Sequence, residues 1–328
     1  MKNMELYTIG IDAGGTKTAY GVLNGSKNLI QRISHSSDPS LSAEAFFDKI
    51  AETILELMRN HNLKKENIRG VGIGMPSFIL FEEGRIIKTS NLTNIRDFPA
   101  RAYLMKKLDG IRVILDNDSH TGAIAEHRLG AGRGFDNMLY CPVSTGISSG
   151  IIINGEIFRG RYGWSGESGH MIVSPGEGIE CGCGNRGCIM SWCSGSMIVK
   201  HIIKWIESGE KTCMTELAGS ADAITCFHIE SAYNSGDALA IRAVDQMSTY
   251  LGIWTYNLYV TLNINCFVFG GGLLKMKRYL ATGEAEGILL SRMKEIFDEY
   301  NKNDMPVYFK EAELGDDFGI IGAAELLF

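Results

Sequence analysis

The stretch SGESGHMIVSPGEGIECGCGNRGC, from Ser165 to Cys188, constrains this chain more than any other. His170 is followed by Cys181, Cys183 and Cys188, and Glu167 lies just ahead of the histidine. One imidazole and three thiols separated by glycines match a tetrahedral zinc site of the Cys3His type. The glycines suit the sharp turns, often at positive φ, that a segment needs to wrap a single ion. Thiolate bonds of about 2.3 Å would pin such a loop without a large core beneath it. Reduced surface cysteines and disulfide partners are the competing readings; the ligand set and its spacing favour zinc.

The rest of the chain must supply the core. Its 328 residues are enough for two domains, and 45% of them are hydrophobic, as in ordinary globular proteins. The net charge of -6 argues against an acidic polymer such as DNA as the partner. No stretch reaches the roughly 18 apolar residues of a membrane helix, and the first residues do not read as a signal peptide. Outside the cluster, Cys141, Cys193, Cys213, Cys226 and Cys266 sit mostly among apolar neighbours. That usage fits a reducing compartment, and a cytoplasmic location is expected.

Alternation and turn signals predict strands over Leu6–Ile11, Thr18–Leu23 and Asn28–Ser34, joined by AGGTK and by Asn24-Gly25. A helix follows over Ser42–Arg59, with Phe46, Ile50, Ile54 and Leu57 on one stripe and Ser42 as its cap. Ile68–Met75 reads as a strand, Glu83-Gly84 as a hairpin, Ala100–Leu108 as a helix and Ile111–Leu115 as a strand. Asp116-Asn117-Asp118 ends that strand, and Ser119–Leu129 is helical. The pattern then repeats: strands Met138–Pro142 and Ile147–Ile153 flank VSTG, and Asn154-Gly155 marks a hairpin. A long helix over Asp237–Leu262, a strand Cys266–Phe269, a helix through the 280s and 290s, a strand Val307–Lys310 and a helix Phe318–Leu327 complete the reading. The pattern suggests a duplicated α/β architecture with a cleft between its halves.

Three glycine clusters stand at strand ends, where α/β folds bind ligands. Asp12-Ala13-Gly14-Gly15-Thr16-Lys17 joins a carboxylate suited to magnesium with backbone N–H groups suited to phosphate. Val143-Ser144-Thr145-Gly146 is the matching turn, and Gly270-Gly271-Gly272 leaves a floor for a base or ribose. Each alone would serve equally as a tight turn; together they point to a nucleotide. No GxxxxGK[ST] pattern is present, so a Walker loop is excluded. Asp118 would either cap its helix or accept a proton from a substrate hydroxyl.

In order along the chain, these motifs resemble the ROK family of sugar kinases and sugar-responsive repressors. DAGGTK resembles its first phosphate motif and VSTG its second. DND with SHTGAIAEHRLGAG resembles the segment that carries the catalytic aspartate. GESGH resembles its ExGH sugar motif, CGCGNRGC its zinc motif, and FGGGL with LGDDFGIIGAAEL its C-terminal pattern. The resemblance implies an α/β, two-domain actin-like (ribonuclease-H-like) ATPase fold. Residues 1–118 plus 317–328 would form a small N-terminal domain, and 119–316 a large C-terminal domain with the zinc loop. It further implies ATP-dependent phosphorylation of a hexose hydroxyl, typically on C6, with Asp118 as general base. Asn91, Asn117, Asp118, Glu167 and His170 would contact the sugar. Asp12, Gly14, Gly15, Thr16, Lys17, Thr145, Gly146, Gly271 and Gly272 would hold ATP and Mg2+. His170, Cys181, Cys183 and Cys188 would hold a structural Zn2+, leaving the second ring nitrogen of His170 for a sugar hydroxyl. A homodimer is implied as well.

The chain departs from the family pattern at four places. Met190 stands where the zinc motif normally ends in a sugar-binding glutamate, and a thioether is a weak acceptor. Ser144, Ser148-Ser149 and Ser77 replace glycines. Met190 leaves the sugar open: glucose-like by family frequency, with allose, N-acetylmannosamine, fructose or a β-glucoside as alternatives. A sugar-responsive regulator and a sugar-binding protein without catalysis are the other classes. Too few residues precede the first strand for a helix-turn-helix, and Asp12, Asp118 and the glycine turns favour the kinase.

Overall fold

The opening strands form where alternation and the glycine turn place them. The computed structural model describes residues 5–280, 282 and 284–328. By contacts the chain divides into two compact units: Met1–Asp136, Gly150–Ser165 and Glu313–Phe328 form one, and Asn137–Ser149 with Gly166–Ala312 the other.

In chain order the first stretch supplies β1 (Tyr7–Ala13), β2 (Lys17–Leu23), β3 (Leu29–Ser36), α1 (Ala43–Asn60), β4 (Ile68–Met75), β5 (Ser77–Leu80), β6 (Arg85–Thr89), β7 (Arg96–Phe98), α2 (Ala100–Lys107), β8 (Val113–Asn117) and α3 (Asp118–Leu129). Then come β9 (Met138–Pro142), β10 (Gly150–Ile153), β11 (Glu156–Ile157), α4 (Ile189–Cys193), α5 (Gly195–Glu207), α6 (Met214–Ala218), α7 (Cys226–Asn234) and α8 (Ala238–Leu262). The chain ends with β12 (Cys266–Gly270), β13 (Lys277–Tyr279), β14 (Ala285–Gly287), α9 (Ile288–Tyr300), β15 (Tyr308–Glu311) and α10 (Phe318–Glu325).

The main sheet of the first unit has the order β3-β2-β1-β4-β8. β2 runs antiparallel to both neighbours, while β1, β4 and β8 are parallel. One face is covered by α1, whose Phe47, Ile50, Ile54 and Leu57 bury against Ile9, Ile11, Val71, Ile73 and Leu115. Each such side chain contributes about 1.5–3 kcal/mol of transfer free energy. Ser42 caps α1 by accepting from Ala45 N at 3.2 Å. α10 lies against the other face so closely that a Cβ on Gly72 would fall 1.7 Å from the carbonyl oxygen of Ala323. α10 meets α3 the same way, Gly322 standing against the Thr121 carbonyl. Hence α3, expected beyond a boundary at Asp118, clusters with the first unit. The β10–β11 hairpin also belongs there, turning at Asn154-Gly155 with φ of 53° and 79°.

In the second unit β9, β12 and β15 are parallel. α8 starts at Asp237, which accepts from Leu239 N and Ala240 N, and ends at Asn263 with φ 52°. Its Val244, Met247, Leu251, Trp254 and Leu258 are buried, so the apolar stripe serves packing.

Some expectations need correction. The strand foreseen over Ile147–Ile153 is confined to Gly150–Ile153, because Ile147–Ser149 receives the backbone of the Gly166–Gly169 loop instead. The helix foreseen through the 280s begins only at Ile288, after β14; Ala281 and Gly283 lie outside the described residues. β7 is too short for alternation to reveal it. Among the described residues, no helix is long and apolar enough to cross a membrane.

Candidate active site

In the first unit the Gly14–Thr16 turn joins β1 to β2, and Asp12 sits near the end of β1 opposite Ala19. Asn91, far away in sequence, lies against this turn: a Cβ on Gly15 would fall 2.4 Å from Asn91 Cβ. Gly319, at the start of α10, approaches Asp12 equally closely; a Cβ there would stand 2.6 Å from the Asp12 carboxyl carbon. Periodicity marked Gly319 only as part of a closing helix, and nothing local announces that contact. Thr16 and Lys17 are exposed.

Asn117 closes β8 and Asp118 opens α3. The cap is Asn117, whose Oδ1 accepts from Ser119 N at 2.9 Å and from Ser119 Oγ. Its Nδ2 donates to the Ser77 carbonyl at 3.3 Å. Capping is therefore not the task of Asp118, whose Oδ1 takes a 2.9 Å bond from the same Ser119 N–H. Both carboxylates are half-buried, and desolvation dominates their titration. Burial pushes Asp12 up to about 6, the negative charge of Asp118 adds to the rise, and Lys17 opposes it. Burial likewise raises Asp118, against the Ser119 N–H bond and the charge of His120. Asp12, a hard-oxygen group that resists ionisation beside the glycine turn, fits a divalent cation such as Mg2+, which would relieve it.

In the second unit VSTG forms an exposed turn closed by a Val143–Ile147 bridge and a 2.9 Å bond from Ser144 N to Gly146 O. The third glycine cluster packs directly upon it. Gly271, at φ +98°, would bring a Cβ to 2.4 Å from Val143 O, so only glycine fits. Gly271-Gly272 thus lies against the Val143-Ser144 side of the turn. A feature the motifs did not reveal is the start of α5. Gly195 N donates to Ser144 O at 2.8 Å, and Ser196 Oγ to Thr145 O at 3.4 Å, so a helix N-terminus adjoins the turn.

The GESGH loop rests on Ile147–Ser149. Cβ atoms on Gly166 and Gly169 would fall 1.7 Å and 1.9 Å from the carbonyls of Ser149 and Ile147. These two glycines therefore set Glu167 and His170 on the strand-like backbone beneath. Ser149, a departure from glycine, bonds Ser168 Oγ at 2.9 Å. His170 Nε2 lies 3.8 Å from Glu167 Oε2, while Nδ1 points to the cysteines.

The four expected metal ligands do converge. Ligand atoms of His170, Cys181, Cys183 and Cys188 all lie within 4.8 Å of one another. His170 Nδ1 is 3.5 Å from Cys181 Sγ, and Cys183 Sγ is 3.6 Å from Cys188 Sγ. A tetrahedral zinc with ordinary bond lengths separates its ligands by about 3.5–3.8 Å. All the cysteines are free thiols, so the disulfide reading fails, and the donor set fits zinc. Met190, two residues past Cys188, sends its methyl between the other motifs: Cε lies 3.0 Å from the position of a Cβ on Gly169 and 3.9 Å from one on Gly146.

Two α/β units, a carboxylate beside a glycine turn and a Cys3His cluster suited to a metal ion belong to an actin-like ATPase fold. The chain belongs to the ROK family, whose model matches residues 8–328. It is 30% identical over 325 residues to a glucokinase of Halalkalibacterium halodurans, covering 98% of this chain and 95% of the relative. It is similar to the crystal structure of a ROK family glucokinase from Streptomyces griseus in complex with glucose and AMPPNP, with a TM-score of 0.80, 27% identity and 98% of each chain covered. It also shares 29% identity over 273 residues with the xylose repressor of Bacillus subtilis, covering 82% of this chain and 65% of the repressor.

Proposed function

We propose that the protein is an ATP-dependent sugar kinase acting on a hexose hydroxyl, with a glucose-like sugar first among the candidates. The observation that carries this reading is the state of Asp118. Asn117 performs the capping, and a carboxylate whose ionised form is held in a desolvated place makes a stronger base. Asp118 would take the proton from the sugar hydroxyl as that oxygen bonds to the γ-phosphorus of ATP. The bond from phosphorus to the ADP oxygen breaks, and sugar phosphate and ADP result. The N–H groups of Gly14, Gly15 and Thr16, with Lys17, would bind phosphate, as would Thr145 and Gly146. Gly271 and Gly272 would pass beneath the nucleoside. Magnesium, held through Asp12, would neutralise phosphate charge. Asn91, Asn117, Glu167 and His170 would bind sugar hydroxyls.

The His170–Cys188 cluster would hold zinc through Nδ1, which leaves the proton on Nε2 and makes the ring a fixed donor. Eight free cysteines and a thiolate zinc site support a reducing, cytoplasmic setting. The homodimer belongs to this proposal and is checked by light scattering. A regulator that binds sugar without turnover is the second reading, favoured by the repressor relatives. A coupled assay for ADP release over a hexose panel separates them: a sugar that binds while none stimulates ADP release would overturn the kinase.

A further inference from the structure

One buried histidine beside the proposed base has no part in the chemistry above. His120, in the first turn of α3, is wholly buried. Its Nδ1 lies 2.8 Å from Asp116 Oδ1 and its Nε2 3.0 Å from the carbonyl oxygen of Ser165. Both partners are acceptors, so both bonds form only when both nitrogens carry hydrogen, in the imidazolium. Asp116, also buried, takes a second cation: Arg159 Nε stands 2.9 Å from its Oδ2. The Arg159 guanidinium in turn lies over the Phe81 ring at 3.7 Å. Ser165 N donates back to Arg159 O at 3.1 Å, and Ser165 Oγ to Phe158 O.

The contacts make a closed ring, Asp116 to His120 to Ser165 to Arg159 and back to Asp116. It ties the strand end that carries Asn117 and Asp118 to the loop Arg159–Ser165. That loop runs on in sequence through Gly166 into Glu167. We propose that His120 is a positioning residue that works as a buried imidazolium, joining the Asp118 segment to the approach of Glu167. Loss of that charge then weakens sugar binding while ATP binding is spared. This rests on the sugar-binding role given to Asn117, Asp118 and Glu167.

The charged groups facing the ring are Asp116 from β8, Asp118 from its own helix and Arg159 from the loop after β11. Burial lowers the affinity of the ring for its proton, and the bond and charge of Asp116 more than reverse that, so the net shift is upward. A raised folded-state pKa means that the stabilisation is complete below the ordinary value of 6.5 and is lost as pH climbs through the raised one. The imidazolium also lowers the pKa of Asp118, helping to keep the proposed base ionised.

The test compares wild type with H120N, which keeps one neutral donor, from mildly acidic to alkaline pH, varying sugar and ATP separately. Loss of a charge-assisted bond predicts a sugar KM about tenfold higher in H120N than in wild type at the acidic end of the range. The KM for ATP should stay unchanged. Wild type should show the same rise with one deprotonation as pH climbs through the raised value, and H120N should be flat. A rise with pH that survives in H120N, or equal rises for ATP and sugar, would overturn the proposal. Calorimetric sugar affinity reads the same split without turnover, so a chain that binds sugar but releases no ADP defeats the kinase reading alone. If H120N does not fold, or no sugar binds, the His120 ring resonance in wild type decides. A titration midpoint above the ordinary 6.5 supports the imidazolium, and one below it refutes it.

Discussion

Replacing Gly169 by alanine tests whether the sugar motif depends on flush backbone packing. The added Cβ would stand 1.9 Å from Ile147 O and 3.0 Å from Met190 Cε. The methionine tip can swing aside, but the carbonyl belongs to backbone on which the whole loop rests. Ordinary carbon–oxygen contact needs about 3.3 Å, so the turn between Glu167 and His170 must retreat by more than an ångström. Overpacking of this kind costs about 1–3 kcal/mol of stability. A displacement of about 1 Å in substrate-positioning groups costs on the order of 10²-fold in rate. G169A should therefore fold with a lowered Tm and lose about that factor in kcat/KM for the sugar. Steady-state kinetics with sugar varied, beside a thermal melt, gives both numbers. An unchanged kcat/KM for sugar would refute the claim that this contact sets the positions of Glu167 and His170.

Other expectations follow from the same geometry. Asp118→Asn should lower turnover by about 10²–10⁴-fold while sugar binding persists, because general-base catalysis is worth that much; loss of binding in step with turnover would count against the base assignment. Burial raises the Asp118 pKa, so its ionised form opposes folding. Wild type should gain stability as pH falls through the raised value toward 3.8, and D118N should lack that gain in calorimetric melts. Met190→Glu should raise kcat/KM for glucose by restoring a charged acceptor worth about 1.5–3 kcal/mol; unchanged glucose kinetics would show that Met190 does not shape the pocket. Chelation of zinc should weaken sugar affinity and leave ATP affinity intact, read by calorimetry with and without added Zn2+. Equal loss of both affinities would mean that the cluster holds up the whole unit.

The cysteine cluster was legible because three of its four ligands lie within a few residues, so spacing alone implies convergence. β4 and α8 were legible to within a residue because a buried strand and a long apolar stripe have strong periods. Asn91 entered only through family resemblance, as a sugar contact, and its place against Gly15 comes from the fold alone, since no period or local motif links them. The role of Ser149 was hidden as well: the sequence shows a serine where glycine is usual, and only the fold supplies Ser168 as its partner.

What the sequence determined unaided was chemical identity: which donors could meet zinc, which turns could admit phosphate, and which carboxylate could serve as base. These are properties of residue types at short separation. The tertiary structure decided the rest. It placed α3 with the first unit by laying α10 against glycines on β4, gave the cap to Asn117 rather than Asp118, and closed the Asp116–His120–Ser165–Arg159 ring. A histidine among helical neighbours looks the same whether it ends in water or in the core. Its charge depends on the oxygens brought to it from distant parts of the chain, and no local pattern records them.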